Sequence, residues 1–217
     1  MDVVEYQIRS RREAGSDLPL LLWRLPAPMR AIASAPHGGG LGVRRWVVNA
    51  QVPSSYARRD PDQHLRKLGV SLGLPGRGVG MLTAANVRNH AATQDGGAEV
   101  TATIGLGHPM LAAASDRGYE PLVGTINLVV VLPERLADSA MVNAVGTVTE
   151  AKSQALADLG LDATGTATDA VCILCPEQGR PNSFGGPRSV WGSRVARAVH
   201  GAVLSGAVLS GDGSPDR

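Results

Sequence analysis

Cysteine is scarce in this sequence, and its scarcity excludes two kinds of site. The 217 residues include two cysteines, Cys172 and Cys175. Two cysteines cannot form a disulfide framework or a complete cysteine zinc site. They fall on a predicted strand, where residues three apart point to opposite faces, whereas a redox-active pair at this spacing opens a helix. We therefore expect two inert core thiols in a reducing compartment.

Aromatic residues are also scarce, and a large excess of charge and long apolar runs are absent. Aromatics make up 3% of the chain and the net charge is +2, so a base-stacking platform or a basic footprint for nucleic acid is not expected. The five histidines have no ligand-like spacing, so we expect no metal site. No apolar run approaches the length of a membrane span, and no secretory signal is visible. These absences predict a cytoplasmic protein that binds neither membrane nor nucleic acid.

Lysine occurs twice, and one of the two positions is unusual. The sequence from 133 to 160 predicts a long helix with an apolar stripe, and Lys152 lies on that stripe four residues after Val148 and four before Leu156. A solvated lysine normally lies on the opposite face or near a helix end. A buried ammonium is costly unless it is paired, so Lys152 predicts a buried carboxylate nearby. The alternative is a lysine at the rim, with only its stem covered.

Asp169 is the predicted partner of Lys152. It lies in a β-branched, apolar segment, 165–175, which predicts a central strand soon after the helix. On that strand Asp169 shares a face with Val171 and Ile173 and therefore points into packing. The alternative is an aspartate that caps a turn at the entry of the strand, served by Thr166 or Thr168.

The order of predicted elements indicates an α+β fold. Strands dominate the first part of the chain, in segments at 3–8, 20–25, 29–35, 43–52, 79–85, 99–106 and 124–132, and helices dominate the second. Consecutive strands joined by short turns favour a largely antiparallel or mixed sheet covered by helices, in a layered α/β sandwich. We predict a single domain at 1–210 and a disordered tail at 211–217.

Polar side chains recur at the ends of otherwise apolar strands. They are Asn49 and Gln51 on one face of the 43–52 strand, Thr83, and then Thr125 with Asn127 on one face of the strand that follows Gly124. Such a concentration of polar groups among apolar runs predicts one shared pocket. For Asn49 and Gln51 the alternative is that they satisfy loop backbone.

A glycine-rich loop, 34–42, joins two of the strands. Its Gly38, Gly39 and Gly40 could let backbone N–H groups converge on an anion or an oxyanion, and His37 could act as acid, base or ligand. Alanine substitutions in this loop are then expected to impair turnover more than folding. The alternative is a long hairpin turn with an exposed histidine.

Several segments, in order from about 34 to 200, resemble the adenosylcobinamide amidohydrolase family of corrinoid salvage. The segments that carry the resemblance are Ser34-Ala35 with the glycine loop, Trp46 with Asn49, Gln51-Val52-Pro53, Asp60-Pro61 with His64, 79–85, 124–127, 149–152, 165–170, Phe184 with Gly186-Pro187, and Trp191-Gly192. The resemblance implies hydrolysis of the amide that joins the corrin propionyl side chain to aminopropanol in adenosylcobinamide, giving adenosylcobyric acid. Its cobalt then belongs to the substrate, and no separate cofactor is implied.

Amide hydrolysis requires a nucleophile, stabilisation of the oxyanion and a proton for the leaving amine. We assign proton handling to Lys152 and Asp169, and oxyanion contacts to the glycine-loop amides with Asn49 or Asn127. The nucleophile is water or a hydroxyl of Thr83 or Thr125. The predicted catalytic residues are Lys152, Asp169, Thr125 and Asn127. The predicted substrate-binding residues are His37, Gly38, Gly39, Gly40, Asn49, Gln51, Thr83, Glu150, Thr166 and Thr168.

Glu150 is the weakest member of the binding set, because it lies on the opposite helical phase from Lys152. Two other functions remain open from the sequence. The first is an acyltransferase or peptidase that cleaves itself before Thr125 or Thr166, and the second is a corrinoid-binding protein without catalysis. Association into a homo-oligomer is also left open.

Overall fold

The computed structural model describes residues 4–13, 15–115 and 124–211. These residues form eight strands, three α-helices and a short 3₁₀ helix. The strands are β1 (Tyr6–Glu13), β2 (Ser16–Ala33), β3 (Gly40–Gln51), β4 (Val79–Thr83), β5 (Ala91–Asp95), β6 (Ala98–Gly105), β7 (Thr125–Val131) and β8 (Ala170–Pro176). The helices are α1 (Pro61–Ser71), α2 (Asp138–Asp158) and α3 (Val190–Ser210), and the 3₁₀ helix is Val87–Asn89. Apart from Gly211, the predicted tail lies outside the described residues, as does the start of the first predicted strand.

The strands form one mixed sheet in the order β4-β3-β2-β8-β7-β6-β5, and β1 pairs with β2. Two neighbouring pairs, β3 with β4 and β7 with β8, are parallel, and the other pairs are antiparallel. The parallel pair β7 and β8 is joined through α2, so the starts of these two strands lie side by side. The prediction of a mixed sheet covered by helices in an α+β fold is confirmed.

Strand β2 is one long bent strand, whereas the sequence predicted two short ones. Its first part pairs with β1, its last part pairs with β8, and its register with β3 shifts between Arg24 and Met29. Pro26 and Pro28 lie inside that shift. Proline has no backbone N–H, and at the shift β2 is not paired with β3, so no hydrogen bond between these strands is lost. The two predicted strands are therefore one continuous strand, because the prolines lie at the register shift and do not end the strand.

The bent sheet encloses an inner core and presents two outer faces to helices. The inner core joins residues of β3 and β4, such as Val47 and Met81, to residues of β7 and β8, such as Val129 and Cys172. Helices α2 and α3 cover the outer face of β6 to β8. Helix α1 covers the outer face of β2 to β4. The chain is therefore layered, with helix, sheet, sheet and helix in succession.

Two differences from the predicted elements have local causes. Helix α2 begins at Asp138 rather than near 133, because the preceding residues pair with the 182 region, where Ala137 N donates to Asn182 O at 2.9 Å. Strand β5 was not predicted, because its sequence AATQD has no apolar run. Within the described residues, no helix is long and apolar enough to cross a bilayer.

Candidate active site

Lys152 is buried, as its helical position predicted. It lies in the second half of α2 and is 8% exposed, and its stripe neighbours Val148 and Leu156 are fully buried. The ammonium Nζ forms an ion pair with Asp169 Oδ2. The structure therefore supports a buried and paired lysine over a lysine at the rim.

Asp169 lies in the loop immediately before β8, not within the strand as the sequence predicted. Its carboxylate accepts a hydrogen bond from Ile126 N at 2.8 Å, from Thr166 N at 3.1 Å and from Thr166 Oγ1, in addition to Lys152 Nζ. The turn-capping alternative is thus also correct, because Thr166 closes a turn on the same carboxylate. One aspartate ties α2 to the starts of β7 and β8.

Gly165 leaves the space that this ion pair occupies. A Cβ built on Gly165 would lie 2.4 Å from Asp169 Oδ2 and 2.4 Å from Lys152 Nζ. The backbone of Gly165 is held in place, because its carbonyl accepts from Met110 N at 2.8 Å. A side chain at this position would displace the lysine or the carboxylate, so the glycine is a requirement of the pair.

Two threonine hydroxyls extend the site across the starts of β7 and β8. Thr125 Oγ1 lies 2.6 Å from Thr168 Oγ1, and the two hydroxyls lie 2.8 and 3.0 Å from Gly124 O. Each hydroxyl has one proton, so one of them donates to the other and the second donates to Gly124 O. With the ion pair they form a contiguous group, which we call the lysine cluster. It consists of Lys152, Asp169, Thr125, Thr166 and Thr168.

A second polar group lies inside the bent sheet. Asn127 Nδ2 donates to Asn49 Oδ1 at 2.9 Å and to Leu82 O at 2.9 Å, and Asn49 Nδ2 donates to Thr103 Oγ1 at 2.9 Å. Asn49, Thr103 and Asn127 are each 1% exposed. We call these three residues the amide network. It joins β3 to the neighbouring strands β6 and β7, which are far from β3 in the sequence.

Thr103 was missed in the sequence-based site, although a signal was present. In β6 the residues Thr101 and Thr103 alternate with the apolar Val100, Ala102 and Ile104, which is the period-two pattern of a strand with one polar face. The same signal singled out Thr125 and Asn127 on β7.

Three other predicted residues do not join either group. Gln51 Oε1 accepts from Val87 N at 3.2 Å, and Thr83 Oγ1 accepts from Ala85 N at 3.1 Å, so both side chains satisfy loop backbone. Glu150 is exposed on the helical face opposite Lys152. A binding role for Gln51, Thr83 or Glu150 stays a prediction, and no contact with the lysine cluster supports it.

The glycine loop is closed by its own packing. Arg44, which is buried, donates from Nε and Nη2 to Gly38 O at 3.0 and 2.8 Å, and from Nη2 to Gly39 O at 3.2 Å. A Cβ on Gly38 would lie 1.8 Å from Gly78 O, and a Cβ on Gly39 would lie 2.6 Å from Ala35 O. These glycines permit close backbone packing, so the expectation that their alanine variants spare folding is not supported.

His37 is part of the same packing. Its ring stacks on Trp46 with 5.7 Å between centroids and 12° between planes, and its backbone pairs with Gly80. Burial lowers the pKa of His37 below its ordinary value of 6.5. Within the described part of the chain, no hydrogen bond or ion pair connects the segment 37–40 with the lysine cluster.

The two cysteines face opposite sides of the sheet, as predicted. Cys172 packs in the inner core and Cys175 in the helix-covered core. Burial raises the pKa of Cys172 to about 12 and also raises the pKa of Cys175, so both thiols stay protonated and unreactive at neutral pH. No group of three or more metal-ligating side chains occurs among the residues that the structure describes.

A cavity of about 520 Å³ opens between the β1–β2 and β5–β7 regions, and Tyr6, Trp23, Thr101 and Val131 are among its lining residues. Val131 is the last residue of β7, whereas Thr125 of the lysine cluster is the first. The cavity and the lysine cluster are therefore at opposite ends of this strand.

Comparisons with known proteins agree with the sequence motifs. A family model described as adenosylcobinamide amidohydrolase matches residues 3–214. A protein of Methanosarcina mazei named adenosylcobinamide amidohydrolase is 27% identical over 191 residues, which covers 84% of this chain and 92% of that relative. A protein of Halobacterium salinarum with the same name is 28% identical over 202 residues, which covers 88% of this chain and 86% of that relative.

Proposed function

This chain belongs to the adenosylcobinamide amidohydrolase family, and we propose that it hydrolyses the amide between the corrin propionyl side chain and aminopropanol in adenosylcobinamide. The products are adenosylcobyric acid, which re-enters cobalamin synthesis, and the free amino alcohol. The cobalt is part of the substrate, and we infer no further cofactor. We also infer a cytoplasmic site of action.

One observation carries the proposal. The family match covers residues 3–214 and so includes every member of the lysine cluster and of the amide network. Within that span, a buried ammonium pairs with a carboxylate that also accepts from the Thr166 hydroxyl, and the Thr125 and Thr168 hydroxyls meet at the starts of two parallel strands. A group of proton donors and acceptors in one place is what amide hydrolysis requires.

We assign proton handling to Lys152. Water adds to the amide carbon and forms the tetrahedral intermediate. As the C–N bond breaks, Lys152 Nζ donates a proton to the leaving nitrogen, and the neutral Lys152 amine then takes the proton that the added water still carries, so the protons balance over the cycle. The same cation stabilises the negative oxygen of the tetrahedral intermediate. Among the described residues Nζ makes one hydrogen bond, to Asp169, so its other N–H groups remain for the substrate.

Asp169 acts through Lys152 as a positioning residue. Four groups already donate hydrogen bonds to its carboxylate, which has about four lone-pair positions. An acceptor that is fully occupied is a poor general base for water. It holds the ammonium in place and joins the strand starts. The Thr125 and Thr168 hydroxyls already bind each other and Gly124 O, so their remaining lone pairs are what they offer to the substrate.

The test is incubation of the purified protein with adenosylcobinamide, followed by mass analysis of the corrinoid. We expect conversion to adenosylcobyric acid without added metal, and we expect EDTA treatment to leave the activity unchanged. Lys152→Met is the matched inactive control. Absence of the acid product under every condition would overturn the proposal.

Two measurements separate the alternatives. The intact mass of the purified protein reports self-processing, since cleavage before Thr125 or Thr166 would yield two chains. Binding of the corrinoid without release of aminopropanol would instead indicate a corrinoid-binding protein. We expect one chain of full mass and stoichiometric release of the amino alcohol.

A further inference from the structure

The amide network contains a buried acceptor that has no partner. Asn127 is 1% exposed, and its Oδ1 makes no hydrogen bond within the described part of the chain, although its Nδ2 makes two. A buried polar atom without a partner costs free energy in the folded state, so such atoms are rare unless a ligand or water satisfies them.

The orientation of the Asn127 amide is fixed by its surroundings. One of its two atoms faces Leu82 O, a backbone carbonyl that can only accept a hydrogen bond, so that atom is the NH₂ group. The same NH₂ donates to Asn49 Oδ1, which leaves the Asn49 NH₂ to donate to Thr103 Oγ1. The unpartnered atom of Asn127 is therefore an oxygen, and this residue has no free N–H for an oxyanion.

The free oxygen lies next to the lysine cluster along β7. Asn127 and Thr125 share the inner face of the strand, and the N–H of the intervening Ile126 donates to Asp169. Because a strand rises about 3.3 Å per residue, Asn127 is within one or two residues' rise of the ion pair. The acceptor Asn127 Oδ1 is thus carried by the residue that follows the N–H bound to Asp169, and the cationic donor Lys152 reaches the same carboxylate from α2.

We propose that Asn127 Oδ1 accepts the N–H of the scissile amide and so selects amides over esters. The inference rests on the proposed function. A secondary amide presents a carbonyl acceptor and an N–H donor, and the site offers Lys152 for the first and Asn127 for the second. An ester of the same shape has no N–H and leaves the buried oxygen unpartnered.

Asn49 and Thr103 are then positioning residues. Asn49 holds the Asn127 NH₂, and the Thr103 hydroxyl accepts from Asn49 and so fixes which of its amide atoms faces Asn127. Removing the Thr103 hydroxyl leaves the Asn49 NH₂ without its acceptor, so Asn127 is held less firmly. The effect on amide selection should be smaller than that of changing Asn127 itself.

The experiment compares two substrates that differ in one group. The amide substrate is adenosylcobinamide, and the second is the corresponding ester, with oxygen in place of the scissile N–H. The measured quantity is the amide-to-ester ratio of kcat/KM. In Asn127→Leu, which keeps a similar volume, we expect this ratio to fall about 10- to 100-fold relative to the unsubstituted protein. In Thr103→Val we expect a smaller fall in the same direction.

Thr147→Val is the control. Thr147 is also a buried threonine, but its hydroxyl donates to Gly185 O at 2.9 Å, away from both polar groups. We expect its amide-to-ester ratio to be unchanged. An unchanged ratio in a folded Asn127→Leu protein would overturn the inference.

A second measurement applies if Asn127→Leu does not fold. It is inhibition of the unsubstituted protein by the N-methylated amide, which lacks only the scissile N–H and keeps the peripheral carboxamides of the corrin. We expect weaker binding than for the ester, since the methyl group also occupies the space beside Oδ1. Binding equal to that of the natural amide would overturn the inference. Failure of the proposed function is distinct, since neither amide nor ester would then be hydrolysed by the unsubstituted protein.

Discussion

The lysine cluster lies at the start of β8, and the glycine loop is linked to the same strand through Ser34, which pairs with Val171, but the polar groups of the two regions are used differently. In the cluster, side chains from α2, from the start of β7 and from the loop before β8 lie together, and Lys152 keeps N–H groups that no described residue accepts. In the loop, the carbonyls of Gly38 and Gly39 are taken by Arg44, and His37 stacks on Trp46. The cluster has the capacity to act on a substrate, whereas the loop is satisfied internally.

Glycine serves a different purpose in each region. Gly165 is needed because a Cβ would displace the two charged side chains, and Gly38 is needed because a Cβ would collide with backbone. A glycine beside functional side chains should affect turnover more than folding. A glycine packed against backbone should affect folding stability and leave the turnover of each folded molecule nearly unchanged.

The largest stability effect is expected for the ion pair. Asp169→Asn leaves a buried ammonium without its anion and should cost about 3–5 kcal/mol. Lys152→Met should cost less, because three other donors still serve the carboxylate. The double variant should be more stable than Asp169→Asn, because no charge is stranded. Denaturant unfolding of the four proteins measures this, and strictly additive losses would show that the pair does not interact.

The next largest effect is expected for Gly165→Ala. Its Cβ would lie 2.4 Å from both Lys152 Nζ and Asp169 Oδ2, so we expect turnover to fall at least about tenfold, with a stability loss of about 1–3 kcal/mol. Gly146→Ala is the matched control on α2, because no atom lies within 4 Å of its Cβ. That change should raise stability by about 0.5–1 kcal/mol and leave turnover unchanged. An active Gly165→Ala enzyme would separate the pair from catalysis.

In the glycine loop we expect alanine substitutions to lower folding stability and to leave the turnover of each folded molecule nearly unchanged. Gly38 has φ of +68° and a Cβ position 1.8 Å from Gly78 O, so Gly38→Ala should cost about 1–3 kcal/mol. Gly40→Ala, at φ +79° in open space, should cost about 1 kcal/mol from backbone strain alone. Turnover per folded molecule should stay within about twofold of the parent protein. A folded Gly38→Ala protein with far lower turnover would show that the loop takes part in the reaction.

The smallest effect concerns His37. Burial lowers its pKa below 6.5, so the folded state favours the neutral ring. The stabilisation is complete above pH 6.5 and is lost as the pH falls toward the lowered pKa, because the unfolded chain then binds the extra proton. His37→Gln should flatten the decline of thermal stability between about pH 7 and 5. The same slope in both proteins would show that another group controls it.

The sequence alone was sufficient to predict which face of a helix or strand a residue lies on, because the local hydrophobic period determines that face. The 3.6-residue period placed Lys152 on the buried stripe of α2, and the two-residue period placed Cys172 and Cys175 on opposite faces. Asp169 was correctly paired with Lys152 but was placed inside the strand, since a short loop and a strand end share the same composition.

Long-range contacts could not be derived in this way. That Asn127 meets Asn49 and Leu82 depends on the bend in β2, where two prolines interrupted the apparent strand but not the real one. The role of Gly38 depends on the approach of Gly78, which is 40 residues away. Both contacts join residues that are far apart in the sequence, so no short sequence pattern predicts them.

The central claim is that the lysine cluster performs the hydrolysis, and the double variant Lys152→Met with Asp169→Asn tests it most directly. The measurement is its rate of adenosylcobyric acid formation from adenosylcobinamide, made on protein whose unfolding free energy exceeds that of Asp169→Asn. We expect a folded protein with turnover reduced by at least about a hundredfold, as for loss of a proton-handling group. A stable double variant with turnover near that of the unsubstituted protein would contradict it and would place the chemistry elsewhere.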